Sequence, residues 1–262
     1  MRKLLMGTVG LVALITVTPA FAADVAVPSY NKAPAMIAAV YDWGGFYGGF
    51  NAGGGSSQNC WSATAFSFLG TKFTVPATPE GCHTATGALA GGQVGYRIQN
   101  GGFVFGVEAL GDWAGLRGSN PSSPMAFGAA QTNQTKINAL GLFTAQAGFA
   151  LNNILFYING GAAVTNSKYN GINSATGALI DQASDTRVGA TVGTGIEFAF
   201  AANWSAAVEY DHLFMGTSAN SFTSANPLTA GAFSRTDNIR QDFDLVTARI
   251  NYRWGGPGIS KY

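Results

Sequence analysis

From residue 43 onward the chain alternates. In 204–214, Trp204, Ala206, Val208, Tyr210, His212 and Phe214 share one parity, while Ser205, Ala207, Glu209, Asp211 and Leu213 share the other. In 186–200, Val188, Ala190, Val192, Ile196, Phe198 and Phe200 oppose Arg187, Gly189, Thr191, Gly193, Gly195 and Glu197. Near the end, Val246, Ala248, Ile250, Tyr252 and Trp254 alternate with Thr247, Arg249, Asn251 and Arg253. Phe103, Phe105, Val107, Ala109 and Trp113 likewise separate from Glu108 and Asp112, and Val94, Tyr96 and Ile98 from Gln93 and Arg97. Successive side chains of a strand point to opposite faces, so each segment predicts a strand with one apolar and one polar or small face.

The pattern predicts eight strands, at 43–55, 86–98, 102–114, 136–150, 154–166, 186–200, 204–216 and 240–254. Short turns at Gln99-Asn100-Gly101, Leu151-Asn152-Asn153 and Ala201-Ala202-Asn203 recur roughly every fifty residues, with Asn-Gly the strongest hairpin signal among them. Between them lie polar stretches at 56–85, 115–135, 167–185 and 217–239, read as loops. The hairpins show no sequence similarity to one another, against a solenoid or propeller. The fold expected is all-β: an eight-stranded antiparallel up-and-down transmembrane β-barrel with short periplasmic turns and four long extracellular loops. A soluble sandwich or lipocalin-like barrel would instead turn the apolar faces inward. Aromatics at the turn ends argue for lipid, because they form an interfacial girdle. The lipid-face and interface set is Phe46, Tyr96, Phe103, Phe105, Phe149, Phe156, Phe198, Phe200, Trp204, Tyr210, Tyr252 and Trp254.

The first strand, within YDWGGFYGGFNAGGG, puts Phe46, Phe50 and Ala52 toward lipid and Tyr47 and Asn51 toward the lumen. Trp43 falls on the lumen parity, which alternation alone leaves unexplained. Its glycines leave room for a coiled wall and bulky cross-strand neighbours.

Composition supports the membrane. Only 10% of residues are charged and 47% are hydrophobic, against ~25% charged in soluble domains. After residue 23 no apolar run reaches helix-spanning length. The N-terminus reads as a secretory signal over 1–22: Arg2 and Lys3, an apolar stretch Leu4 to Val17, and Ala20-Phe21-Ala22 as cleavage site. An Ala/Pro-rich periplasmic linker over 23–42 and a barrel domain over 43–262 complete the expected organisation, in the cell outer membrane. Without Arg2 and Lys3, 12 of the 14 basic residues face 13 acidic ones, a net charge near −1. That balance argues against nucleic acid or any strongly charged partner.

Cys60 and Cys82 favour a disulfide in an exported chain. A zinc site with His83 is the weaker alternative, lacking C-x-x-C spacing. The inward set Arg97, Glu108, Asp112, Arg187, Glu197, Glu209, Asp211, Arg249 and Arg253 reads either as a salt-bridge network that plugs a narrow barrel or as a polar path through it. Catalysis would need a histidine base. His83 sits in the first long stretch, while His212 has outward parity with no evident partner, and Ser205 lies on the opposite face. No catalytic, metal or cofactor site is expected, and Gly91-Gly92 and Gly193-x-Gly195 precede no helix.

Three pieces carry a resemblance: Tyr41-Asp42-Trp43-Gly44-Gly45-Phe46-Tyr47, Gly91-Gly92-Gln93-Val94-Gly95-Tyr96, and Thr247-Ala248-Arg249-Ile250-Asn251-Tyr252-Arg253-Trp254. The chain resembles the alpha-proteobacterial outer-membrane immunogenic proteins, porin-like OmpA-type eight-stranded barrels. That resemblance implies surface exposure, antigenicity and envelope integrity, with at most a narrow pore and no catalytic residues. The alternatives are a loop-mediated adhesin or host-contact protein and a lipid-modifying enzyme. Implied partners are outer-membrane lipid and lipopolysaccharide, the barrel assembly machinery, and host or cell-surface ligands of the loops. A C-terminal aromatic assembly signal falls either at Tyr262 or internally at Tyr252 and Trp254.

Overall fold

The computed structural model describes residues 41–123 and 131–254. The signal segment, nearly all of the linker and the tail with Tyr262 lie outside them. Eight strands follow in order: β1 Gly45–Phe68, β2 Thr71–Asn100, β3 Phe103–Pro121, β4 Gln131–Leu151, β5 Ile154–Asn173, β6 Leu179–Ala201, β7 Trp204–Ser224 and β8 Phe233–Trp254. Each pairs antiparallel with its sequence neighbours, and β1 closes the ring on β8, from Phe46↔Trp254 to Phe66↔Arg235. Closure is what makes the chain compatible with lipid, where an unpaired backbone group has no water to turn to.

At one end the connections are two residues long, at 101–102, 152–153 and 202–203. Gly101 adopts φ +62° and Asn152 φ +55°, the left-handed geometry such turns require and these residues tolerate. Both chain ends of the described barrel lie here, so this is the periplasmic end by the rule for outer-membrane barrels.

The other end differs from the sequence expectation. Most of 56–85, 115–135, 167–185 and 217–239 continues as strand, so the connections there shrink to 69–70, 174–178 and 225–232, while 122–123 are the described residues of the one between β3 and β4. Ser, Thr, Asn and Gly made these stretches read as loops. Their inward parity nevertheless persists: Ser57, Asn59, Trp61, Ala63 and Ala65 alternate buried along β1, as do Arg235, Asp237, Ile239, Gln241 and Phe243 along β8. The wall therefore rises beyond the apolar band as a polar-coated neck.

Along the membrane band the outward side chains are apolar and bare: Phe50 is 81% exposed, Trp113 80% and Val188 68%. In water such a continuous apolar surface would aggregate; in lipid it is solvated. The outward aromatics expected from sequence, from Phe46 to Trp254, lie on this surface, with Tyr252 packed between Trp204 and Trp254 at ring distances of 5.0 and 5.5 Å.

Cys60 stands directly opposite Cys82 and the two form a disulfide across β1 and β2 in the neck. His83 has the opposite parity and points inward, so the sulfurs and the imidazole do not converge. Between β6 and β7 the ladder breaks from Gln182↔Thr223 to Ala190↔Phe214. Arg187 stitches this seam, donating from Nη1 to the Gly216 and Ile239 carbonyls at 3.3 and 3.0 Å and ion-pairing with Asp185 at 3.1 Å.

The disulfide spans 22 residues, a loop for which cross-linking is worth about 3 kcal/mol. Replacing both cysteines by serine should leave the membrane band folded, with the gel-shift between unboiled and boiled samples retained. Limited proteolysis should then gain a cut between residues 61 and 81. An unchanged cleavage pattern would show that the bridge does not hold the neck.

Candidate functional site

The lumen is built in four layers, and alternation places each one. At the periplasmic mouth Trp43, Val104, Ala150, Leu155, Tyr157 and Ala199 pack together. Trp43, 2% exposed, fills the opening; its backbone N–H donates to Gln99 Oε1 at 2.6 Å and its ring meets Tyr41 edge-on at 4.7 Å. This is why a tryptophan belongs on the lumen parity.

Above it sits an ionic layer. Arg97 Nη1 reaches Glu197 at 2.8 Å, and Arg249 reaches Glu108 at 2.8 Å and also bonds Glu209, with Asp211 3.9 Å away. Neutral groups complete the shell. Tyr47 donates to Glu108 at 2.7 Å, Tyr157 to Glu209 at 2.5 Å, Ser205 to Glu197 at 2.5 Å, and Asn251 to Glu197 at 3.0 Å. Arg97 also lies over the Tyr47 ring, 4.2 Å from its centre. Pairing and hydrogen bonding of this kind offset the cost of taking these charges out of water.

The layer has an approximate internal two-fold. Tyr47 on β1 crosses Gly95 on β2 and bonds Glu108 on β3; Tyr157 on β5 crosses Gly195 on β6 and bonds Glu209 on β7. A Cβ at either glycine would collide with the tyrosine ring opposite. These glycines are the space the tyrosines occupy, an aromatic covering a bare backbone across the strand pair.

Next comes a layer that the expected polar lumen did not include. Leu89, Leu110, Leu116, Ile137, Leu140, Leu142, Leu213, Met215, Phe243 and Leu245 form one buried apolar cluster inside the barrel. Above it, in the neck, Arg235 bonds Glu80 at 2.9 Å and Asp181 at 3.1 Å, with Asp237 at 3.1 Å. Its guanidinium lies over Phe222 at 4.4 Å and Trp61 at 5.5 Å, and Asn133 donates to Glu80 at 2.6 Å.

All nine charged residues expected in the lumen are buried there, but they do not form one network. Arg97, Glu108, Glu197, Glu209, Asp211 and Arg249 share the ionic layer. Asp112 is buried with neither carboxylate oxygen hydrogen-bonded among the described residues. Arg253 sits at the mouth, donating to the Gly44 carbonyl at 3.0 Å with its guanidinium over Tyr41, and Arg187 holds the β6–β7 seam. Sequence reasoning missed the neck cluster of Glu80, Asp181, Arg235 and Asp237 because it fell within presumed loops. Continuing the β8 parity back from Thr247 to Arg235 would have found its centre.

The histidines also resolve. His212 has a partner after all: Nδ1 lies 2.8 Å from Asp244, which also accepts from Tyr210 at 2.6 Å. The β7–β8 register sets His212 opposite Asp244, a pairing that single-strand parity cannot reveal. This group faces outward, whereas Ser205 lies inside on Glu197. His83 is held between Asn120 at 2.7 Å and Thr135 at 2.9 Å, and its burial lowers its pKa. Among the described residues no cluster suited to a metal ion occurs.

The model of the outer membrane protein beta-barrel domain matches residues 21–241. The chain belongs to that family. Curated relatives include the 31 kDa outer-membrane immunogenic proteins of Brucella melitensis and Brucella suis, each 30% identical over 211 residues, covering 78% of this chain and 85% of the relative. The outer membrane protein OprG of Pseudomonas aeruginosa superposes with a TM-score of 0.48 at 12% identity, covering 81% of this chain and 99% of that one, a likeness too slight to bear on function. The family member described here is thus an outer-membrane barrel with a structural or surface role.

Two outcomes follow from the ionic centres. Arg249→Leu strands Glu108 and Glu209 in the lumen and should cost about 3–5 kcal/mol in reversible urea unfolding from detergent, with part restored by adding Glu209→Gln. A loss below about 1 kcal/mol would contradict the role given to Arg249. In the neck, burial pushes the Asp237 carboxyl up to about 7, opposed by Arg235 and reinforced by Glu80 and Asp181. A folded-state value above the unfolded one means that the folded neck binds the proton more tightly. Its stabilisation is therefore full below about 4 and is lost as pH rises through about 7. Amide exchange of neck residues, corrected for intrinsic rates, should be slower at pH 5 than at pH 8, and Asp237→Asn should abolish the difference.

Proposed function

We propose that the chain is a non-conducting, non-catalytic structural barrel that anchors a rigid neck at the cell surface. The observation that carries this is the apolar layer from Leu89 to Leu245, seated directly on the Arg97–Glu197 and Arg249–Glu108 ion pairs. A polar path would need a continuous wetted route, and an apolar constriction excludes water and ions. The ionic layer acts as wall reinforcement rather than as a gate.

Export through a cleaved segment over 1–22, insertion by the barrel assembly machinery and contact with lipopolysaccharide belong to this reading. So does absence of catalysis, supported by the placement of His212 outside the barrel and Ser205 within it. One observation favours an additional contact role for the neck. At the tip of the β1–β2 hairpin Leu69 is 90% and Phe68 61% exposed, on a ladder clamped by Cys60–Cys82. A preorganised apolar tip suits an adhesin or host-contact element.

Planar bilayers containing the refolded chain should show no steps above the bare-membrane background. Discrete steps that persist in Leu110→Trp, which would thicken the apolar layer, would overturn the plug.

A further inference from the structure

Just beyond the apolar band, the outward face of β3, β4 and β5 carries one basic side chain per strand. Register sets Arg117 directly opposite Lys136, and Lys136 directly opposite Lys168. Three cations therefore stand in a row across three adjacent strands, with about 5 Å between successive Cβ positions. Thr86 on β2 faces Arg117 at one end, and Ser184 on β6 faces Lys168 at the other. Arg117 lies four residues past Trp113, and Lys168 four past Val164. The row thus sits where the apolar surface gives way to the polar neck.

Like charges directly opposite one another destabilise a sheet, and the rest of the wall at this level avoids them. Arg240 pairs with Asp242 at 3.2 Å, and His212 with Asp244 at 2.8 Å. Among the described residues, Arg117, Lys136 and Lys168 enter no ion pair. Their outward neighbours are neutral polar groups occupied with one another: Asn170 donates to the Gln134 amide oxygen at 3.2 Å, and Asn166 to the Thr186 hydroxyl at 3.1 Å. The repulsion is thus left for something outside the chain to offset.

The structure assigns to Arg117, Lys136 and Lys168 a binding site for the phosphate groups of an outer-leaflet glycolipid, whose acyl chains cover Trp113 and Phe143 below. Charge complementarity and height both select this occupant. An arginine fork takes a phosphate bidentately and lysines act as point charges beside it, while Thr86 and Ser184 add hydroxyl donors at the ends of the row. A soluble anion would satisfy the charges but not the exposed Trp113 immediately beneath. The site takes only the outer-membrane placement from the reading above. A conducting barrel would sink the plug and leave this site standing.

The test uses the refolded chain in neutral detergent with three probes: a diphosphorylated diglucosamine lipid, the same lipid with both phosphates removed, and inorganic phosphate. Each cation at an anionic lipid surface is worth roughly fivefold in affinity, so Arg117→Gln/Lys136→Gln/Lys168→Gln should weaken binding of the phosphorylated lipid on the order of a hundredfold. Arg240→Gln should bind as the parent does, and added salt should narrow the gap between parent and triple variant. Equal affinity for the dephosphorylated lipid, or an unchanged triple variant, would overturn the assignment. Inorganic phosphate binding as tightly as the lipid would overturn the glycolipid as occupant. A triple variant that loses its gel-shift on boiling is replaced by Lys136→Gln alone, for which about a fivefold loss is expected and no loss is again decisive against the site.

Discussion

The structure depends on one constraint: an eight-stranded wall must close on itself around an interior only as wide as the side chains that fill it. Closure satisfies the backbone in lipid, but it fixes the lumen volume, so the inward residues have to interlock. The Tyr47–Gly95 and Tyr157–Gly195 crossings are the plainest consequence. Each tyrosine lies flat on a glycine and thereby brings its hydroxyl onto Glu108 or Glu209. Packing and electrostatics are the same device here, since moving the ring away would take from the carboxylate the phenol donor that complements its arginine.

That constraint also orders the layers. Arg97 and Arg249 can be buried only where several carboxylates and neutral donors reach them at once, which happens at the level of the tyrosine pairs. Above that level the strands present leucines instead, and apolar side chains fill the lumen. Alternation then returns to polar residues in the neck, where Arg235 gathers Glu80, Asp181 and Asp237. The apolar layer separates two ionic centres, in each of which carboxylates outnumber the arginines they surround.

Much of this was legible from parity alone. The side of the wall taken by Arg97, Glu197, Arg249 or Phe198 follows from alternation, because a one-residue slip would send an arginine into lipid. What parity could not reveal was anything requiring two strands at once. The partnership of His212 with Asp244 and the match of each tyrosine to its glycine depend on register. The neck was hidden for a different reason. Its Ser, Thr and Asn residues imitate loop composition, yet Trp61, Tyr169, Phe222 and Ile239 recur inward and form a core of their own. Polar residues on the outward face of that segment mean only that the wall has left the lipid.

Trp43 shows how these rules combine at the edge of the barrel. It precedes β1 and cannot be judged by the alternation of a strand it does not belong to. Its neighbour Gly44 supplies the carbonyl that Arg253 grips, and its own N–H is taken by Gln99 from β2. The indole is thereby drawn over the mouth between the first and last strands. An aromatic on the lipid side would have anchored the wall; turned inward, it closes the bottom of the lumen as Leu89 to Leu245 close the middle. The opening stretch thus both begins the wall and caps what the wall encloses.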